Sequence, residues 1–454
     1  MLEKAGKIGF ALLASPSQAG QERIRRIAED SKKYIQKQEG LQLFCPDEPV
    51  MTPDAAARAA SLFRRSEVDA VVIQHGTASP ADLTIGLVRD VSAPLAVWGI
   101  PEAPLDGGTT ICGSMTGLIS HTAALARIGR RFSFVHGLAD SEQARRQLDK
   151  FIRTVLVRAG LRRAKVALVG HKSPSLAGPV DELLIKDLFG VGVEHVSLAD
   201  VIRRVDALPD EEIEKDVSEL RSSNCLVEVE DAAALRRSCA AFTALEKILI
   251  DDNFSAAAVK CRPELTETHK LGMAAVCSRL TDAGMPAAPE GDVDGALTML
   301  VQLAYTGRPA FLADWIERDE KTNQALFWHD GTAPATLASP KFQAAIRSSA
   351  RDEGNVAFDF PLKSGNVTVA RLQNSGARYK MLVALGRAVE PAPALSGTHV
   401  SVRFEYPVQA VLDAILAQGF AQHFSIVYED IKAEIIEFAQ QLDIEIVSPG
   451  SEEP

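Results

Sequence analysis

The feature that most constrains this chain is a change of hydrophobic period along its length. Over roughly the first two-thirds, short apolar runs alternate with longer amphipathic segments. Ile8 to Ala14, Val68 to Gln74, Leu95 to Gly99 and Phe132 to Val135 read as buried strands, and Ser17 to Gln38, Pro53 to Arg65, Ser79 to Val88 and Met115 to Ile128 read as helices. Strands that are apolar without alternation are buried on both faces, the signature of a parallel sheet with helices on either side. Ser79-Pro80 offers the N-cap serine and N1 proline of a helix start. A second series of the same kind opens after the basic stretch Arg158 to Lys165. Its strands are Val166 to Gly170, Val193 to Val196 and Ala256 to Lys260, and its helices Val180 to Phe189 and Ala232 to Ile250.

Near residues 345 to 360 the period becomes two. Val367 and Val369 alternate with Asn366 and Thr368, and Val400, Val402, Phe404 and Tyr406 with Ser401, Arg403 and Glu405, as in half-buried antiparallel strands. Two helices accompany them: Val408, Val411, Leu412, Ile415 and Leu416 share one face before a stop at Gly419, and Ile431, Ile435, Phe438, Ala439 and Leu442 share another. The expected fold class is α/β: two doubly wound parallel-sheet units followed by a C-terminal antiparallel β-barrel-like domain. The expected domains are 1–160, 161–345 and 346–454. At 454 residues the chain is longer than a single core sustains.

Composition narrows the function. A net charge of −11 argues against a phosphate-backbone binder, so nucleic acid is not an expected partner. The six cysteines show no Cys-x-x-Cys pair, which suits reduced thiols in a cytoplasmic protein. The apolar part of Met1 to Ala14 reads as a first strand rather than a signal peptide, and no run approaches the length of a membrane span.

Three residues far apart in sequence suit a metal site. Glu264 follows an apolar strand in Val259-Lys260-Cys261-Arg262-Pro263-Glu264-Leu265-Thr266, Asp292 lies in Glu290-Gly291-Asp292-Val293-Asp294-Gly295, and His423 sits between a helix stop and the apolar run Ser425 to Tyr428. Two carboxylates and an imidazole suit a hard or borderline divalent ion such as Mn²⁺. Such an ion can hold two neighbouring oxygens of an open-chain sugar while a carboxylate moves a proton between C1 and C2. Spacing alone carries little weight here, since the chain has 9 histidines and 60 acidic residues.

These segments resemble those of the L-fucose isomerase-like sugar isomerases, a family related to L-arabinose isomerase. Phe311-Leu312-Ala313-Asp314-Trp315, Phe327-Trp328-His329-Asp330-Gly331 and the block from His423 to Val447 extend the resemblance, and Cys112-Gly113-Ser114-Met115 is similar but less specific. The resemblance implies aldose–ketose isomerisation, Mn²⁺ or another divalent cation, and a homo-oligomer, hexamer or trimer, with a small sugar as substrate. By position it implies Glu264 and Asp292 as metal ligands and acid/base pair, and His423 as third ligand. The chain departs from the family pattern at Gln422, Asp330 and Glu429, where many relatives have histidine, cysteine and glycine. Those departures bear on the substrate, so a sugar such as L-fucose or D-arabinose stands beside a modified, acidic or sulfonated one, and a non-catalytic sugar-binding protein is the reading from another class. His329 could orient a sugar hydroxyl or cap a buried strand; Trp315 could stack on a sugar or pack in the core. Glu290 and Asp294, beside Asp292, could be second-layer partners or solvated loop acids.

Overall fold

The computed structural model describes residues 5–102, 112–351, 354–389 and 395–449; the first four residues of the amino-terminal run and the last five of the chain lie outside them. The chain forms two compact units, one of Glu3–Gly160 with Gln440–Asp443 and the other of Leu161–Ala439 with Ile444–Pro454, counting their described residues. Among the described residues, no helix is long and apolar enough to cross a membrane.

In the first unit β1 (Gly6–Leu13), α1 (Gln21–Gln36), β2 (Leu41–Phe44), α2 (Pro53–Arg65), β3 (Ala70–His75), α3 (Asp82–Val88), β4 (Leu95–Gly99), α4 (Ser114–Arg127), β5 (Ser133–His136) and α5 (Glu142–Leu161) follow one another. The sheet order is β2-β1-β3-β4-β5, every pair parallel. Every residue of β3 and β4 is buried, which is why these strands read as continuous apolar runs. One face packs Phe10, Trp98 and Phe151, the other Phe63, Ile73 and Leu118. Ser79 is not the cap of α3, which starts at Asp82 with no side-chain cap. Its hydroxyl lies instead 3.1 Å from Nε2 of His121, a partner that local sequence cannot reveal.

The second unit begins with β6 (Lys165–Val169), α6 (Glu182–Phe189), β7 (Gly192–Val196), α7 (Leu198–Asp206), α8 (Asp210–Ser222), β8 (Leu226–Glu228), α9 (Ala232–Asp251), β9 (Ala256–Val259), α10 (Met273–Asp282), β10 (Ala287–Pro289) and α11 (Val293–Thr306). Here β10-β9-β6-β7 form a parallel sheet. There follow β11 (Phe311–Asp319), β12 (Gln324–His329), β13 (Ala345–Ser348), β14 (Val356–Pro361), β15 (Gly365–Asn374), β16 (Tyr379–Ala388), β17 (Thr398–Phe404), α12 (Val408–Gln418), β18 (His423–Val427), α13 (Lys432–Leu442) and β19 (Glu445–Val447).

Six of these strands close a ring: β16 pairs with β15, β15 with β18, β18 with β11, β11 with β12, β12 with β17 and β17 with β16, all antiparallel. The C-terminal sheet is therefore barrel-like, and it starts with β11 at Phe311. Closure leaves no open edge in the ring. Inside it, Trp315 packs against Phe327 at 5.3 Å, Phe404 at 5.6 Å and Phe424 at 6.2 Å between ring centres. Helix α11 is pinned to the barrel by polar contacts: Ser425 donates to Gln302 Oε1 (2.5 Å), and the Leu372 amide donates to Thr298 Oγ1 (2.9 Å).

The turn from β10 to α11 is under backbone constraint. Glu290 has φ of 61° and Gly291 of 68°, so two successive residues are left-handed. A Cβ on Gly291 would lie 2.5 Å from the carbonyl oxygen of His171 and 2.8 Å from Cα of Lys172, backbone that cannot swing aside. Gly291→Ala is therefore predicted to destabilise the protein by about 1–3 kcal/mol, read as a lower urea midpoint with unchanged slope. An unchanged midpoint would show that the turn has room to relax.

Candidate metal centre

Three strand ends converge. Glu290 is the first residue after β10, His329 the last of β12 and His423 the first of β18. One ligand atom from each lies within 4.8 Å of the other two. The pairing of β18 with β11 sets His423 opposite Asp314, whose Oδ1 is 3.6 Å from His423 Nε2. Both imidazoles are buried, and that Nε2 has no hydrogen-bond partner.

Each histidine is oriented through its other nitrogen. Nδ1 of His423 is 2.9 Å from Asp292 Oδ2, and Nδ1 of His329 is 2.6 Å from Asp330 Oδ1 and 2.9 Å from the Asp330 amide, which donates to it in the tautomer that leaves Nδ1 unprotonated. An Nδ1–H donated to a carboxylate leaves the Nε2 lone pair for a cation. Burial alone would lower the basicity of His329, but the charges of Asp330, Asp314 and Glu290 outweigh it and raise its pKa. Burial likewise pushes Asp330 up, yet His329, Arg351 and Arg262 hold its carboxyl down at about 2. Glu290 is tethered too: its Oε2 accepts from the Ser175 hydroxyl at 2.9 Å.

The sequence-expected residues meet different surroundings. Asp292 caps α11, accepting from the Gly295 amide at 2.9 Å, and takes two bonds from Arg371 at 2.5 and 3.0 Å. With His423 added, its oxygens are fully engaged. Burial would raise its pKa, but Arg371 and His423 together hold it well below the usual carboxylate range. Its place is behind His423, orienting the ring. Glu264 opens a short π-helical turn, Glu264–Thr268, after β9; its Oε2, like Nε2 of His423, is buried without a partner, and neither residue lines the cavity beside Glu290 and His329. His329 reaches the site as a ligand-type imidazole, whereas Trp315 is committed to the barrel's aromatic cluster. From sequence alone Asp314 has no assigned role, Arg371 is a possible pocket cation that cannot be placed, and Glu290 is a peripheral acid. The one signal that could have promoted Glu290 is its place one residue beyond a parallel strand's carboxyl end, where open α/β sheets bind ligands.

A cavity of about 230 Å³ opens beside these groups. Glu290, His329, Asp330, Lys260, Cys261 and Arg351 are among its lining residues. Burial pushes the Cys261 thiol up to about 12, so it remains protonated and unreactive. Two imidazoles with nearby carboxylates fit a borderline divalent cation, and the unpartnered Nε2 of His423 is a donor lacking only its acceptor.

The Asp292–Arg371 pair is a separate structural commitment, 2% and 1% exposed. Asp292→Asn keeps the shape while leaving a buried guanidinium unmatched, and should cost about 3–5 kcal/mol in urea unfolding. A loss below about 1 kcal/mol would mean that Arg371 draws its compensation elsewhere.

Comparison with known proteins is consistent with this geometry. Residues 329–448 match the family model for the L-fucose isomerase C-terminal domain. A sulfoquinovose isomerase of Alkalicoccus urumqiensis is 28% identical over 386 residues, 84% of this chain and 86% of that protein. Another, of Priestia aryabhattai, is 24% identical over 89% of this chain and 90% of its own length. An L-arabinose isomerase of Aeromonas hydrophila is 24% identical over 71% of this chain and 67% of the relative. With the barrel-like C-terminal sheet, these similarities support placing the chain among the L-fucose isomerase-like sugar isomerases.

Proposed function

We propose that this aldose–ketose isomerase is metal-dependent, that Glu290, His329 and His423 hold the cation with Asp314 beside them, and that its substrate is a modified, sulfonated hexose. The observation that carries the metal site is the buried, unpartnered Nε2 of His423 converging with His329 and Glu290. The substrate reading is supported by the sulfoquinovose isomerases among the relatives. Mn²⁺ is the cation we name, on donor chemistry and family resemblance. The same resemblance supports a homo-oligomer, hexamer or trimer, and the unpaired pattern of its six cysteines supports a cytoplasmic setting.

A divalent cation bound here would supply polarisation of the sugar's carbonyl and of the adjacent hydroxyl. The remaining roles belong to the chain. Asp292 beside Nδ1 of His423, and the side chain and amide of Asp330 beside Nδ1 of His329, hold the two rings in position. Glu290 and Asp314 are the carboxylates placed to take a proton from C2 and return it at C1, with the C1 carbonyl oxygen becoming a hydroxyl and the C2 hydroxyl a carbonyl. No outside oxidant or reductant is needed. Barrel strands hold Asp314, His329 and His423, and the constrained turn after β10 holds Glu290, so their separations are set before substrate arrives.

Metal-stripped protein assayed with a panel of neutral, sulfonated and phosphorylated aldoses should convert a sulfonated hexose once Mn²⁺ is restored. Turnover that persists without any divalent cation would overturn the proposal. Glu290→Gln and His423→Ala should each weaken Mn²⁺ binding at least about tenfold by calorimetry, while Glu264→Gln leaves it within about twofold. The reverse order would return the ligand role to Glu264. Because the charges around His329 raise its pKa, protons compete with the cation from above the ordinary imidazole value of about 6.5. Apparent Mn²⁺ affinity should therefore fall as pH is lowered from about 8 to about 6.5; a flat profile over that range would exclude His329 as a ligand.

A further inference from the structure

The cavity beside the metal centre holds a cation that isomerisation leaves without a role. Lys260 follows β9, lines the cavity and is only 4% exposed. Among the described residues its ammonium makes no hydrogen bond and no ion pair. Adjacent strands put Val259 opposite Pro289, so Lys260 and Glu290 are the next residues along, and still no pair forms between them. With its stem buried and its ammonium opening on the cavity, Lys260 offers an unpaired positive charge to a ligand that brings a negative one.

A second positive feature opens on the same space. Helix α10 begins at the cavity wall, where Gly272, Met273 and Ala274 are lining residues. Its N-cap is Gly272; no side chain caps it, and its first turn contains no acid. First-turn amides have no acceptor within a helix, and they carry the positive end of its dipole. Of the cavity's acids, Asp330 is held by His329, and Glu290 accepts from Ser175 and faces the proposed cation site.

We infer that Lys260 and the amino-terminal turn of α10 form an oxyanion seat that holds the sulfonate at the far end of the sugar, making Lys260 the residue that selects charged over neutral hexoses. This rests on the isomerase reading above. A sulfonate carries one permanent negative charge and three acceptor oxygens, matching one ammonium and a set of backbone amides. A neutral hexose leaves the ammonium uncompensated, so selection acts by penalty as much as by attraction. Phosphate shares this chemistry, and the test separates the two.

Binding of three unreactive alditols to the Mn²⁺-loaded full-length protein, measured by calorimetry, decides the matter: 6-deoxy-6-sulfo-D-glucitol, D-glucitol and D-glucitol 6-phosphate. The parent should bind the sulfonated alditol most tightly. Lys260→Met should lower the ratio of sulfonated to neutral affinity at least about tenfold. Ala274→Asp, which places a carboxylate in the first turn of α10 where helices tolerate acids, should lower the same ratio and guards against a Lys260 variant that fails to fold. A ratio unchanged in a folded variant, or a parent that prefers the phosphate or shows no preference, would overturn the inference. A parent that prefers the sulfonated alditol yet turns over no aldose would sink the isomerase reading and leave the oxyanion seat standing.

Discussion

The buried contact of Asp292 with Arg371 and His423 is the constraint from which the rest of the site follows. One carboxylate caps α11, neutralises a guanidinium from β15 and fixes the imidazole that begins β18. Helix and barrel are thereby locked to one another at the point where the ligand atoms gather. In a low-dielectric interior such a network is stable only when all its members are present, and it then admits a single arrangement. That uniqueness matters more here than stability, since an imidazole rotated away would no longer point Nε2 toward Glu290 and His329. The second carboxylate–imidazole pair, Asp330 with His329, repeats the device on β12.

Division of labour between the two kinds of sheet explains the rest of the layout. The parallel sheet delivers Lys260 and Glu290 at the carboxyl ends of adjacent strands, where helix amino termini also point. The barrel delivers His329, Asp314 and His423 from three strands joined edge to edge through β11. On the proposed reading the metal ligands come from both layers, and the seat for the sugar's charge from the parallel sheet and α10. The left-handed pair Glu290 and Gly291 lets the chain leave β10 and still enter α11 with Asp292 as its cap.

Much of this was legible in the sequence, for physical reasons. Strands such as β3 and β4 are buried on both faces and so announce themselves as unbroken apolar runs, and β17 alternates because one face of the barrel is packed and the other less so. His423 was singled out through the family resemblance and its place between a helix stop and an apolar run, and it opens β18 beside Glu290 and His329. What was not legible depends on contacts across long separations. Asp292 and Arg371 are 79 residues apart and Asp292 and His423 are 131 apart, so nothing local shows that Asp292 faces inward to partners instead of outward to a cation. Glu290, two positions earlier, lies instead beside His329 and His423, placed there by a backbone turn that side-chain pattern does not encode. Trp315 could not be placed because a tryptophan in a barrel strand looks the same whether it faces the core or a ligand.

The central claim is that two imidazoles, from His329 and His423, share one divalent ion. Electron spin-echo measurements on the Mn²⁺-loaded protein read this directly through the nitrogen couplings of the bound rings. Two coupled imidazole nitrogens, reduced to one in His329→Gln and to one in His423→Gln, is the predicted result. A spectrum without nitrogen coupling, or one that neither substitution alters, would place the ion elsewhere and contradict the site described.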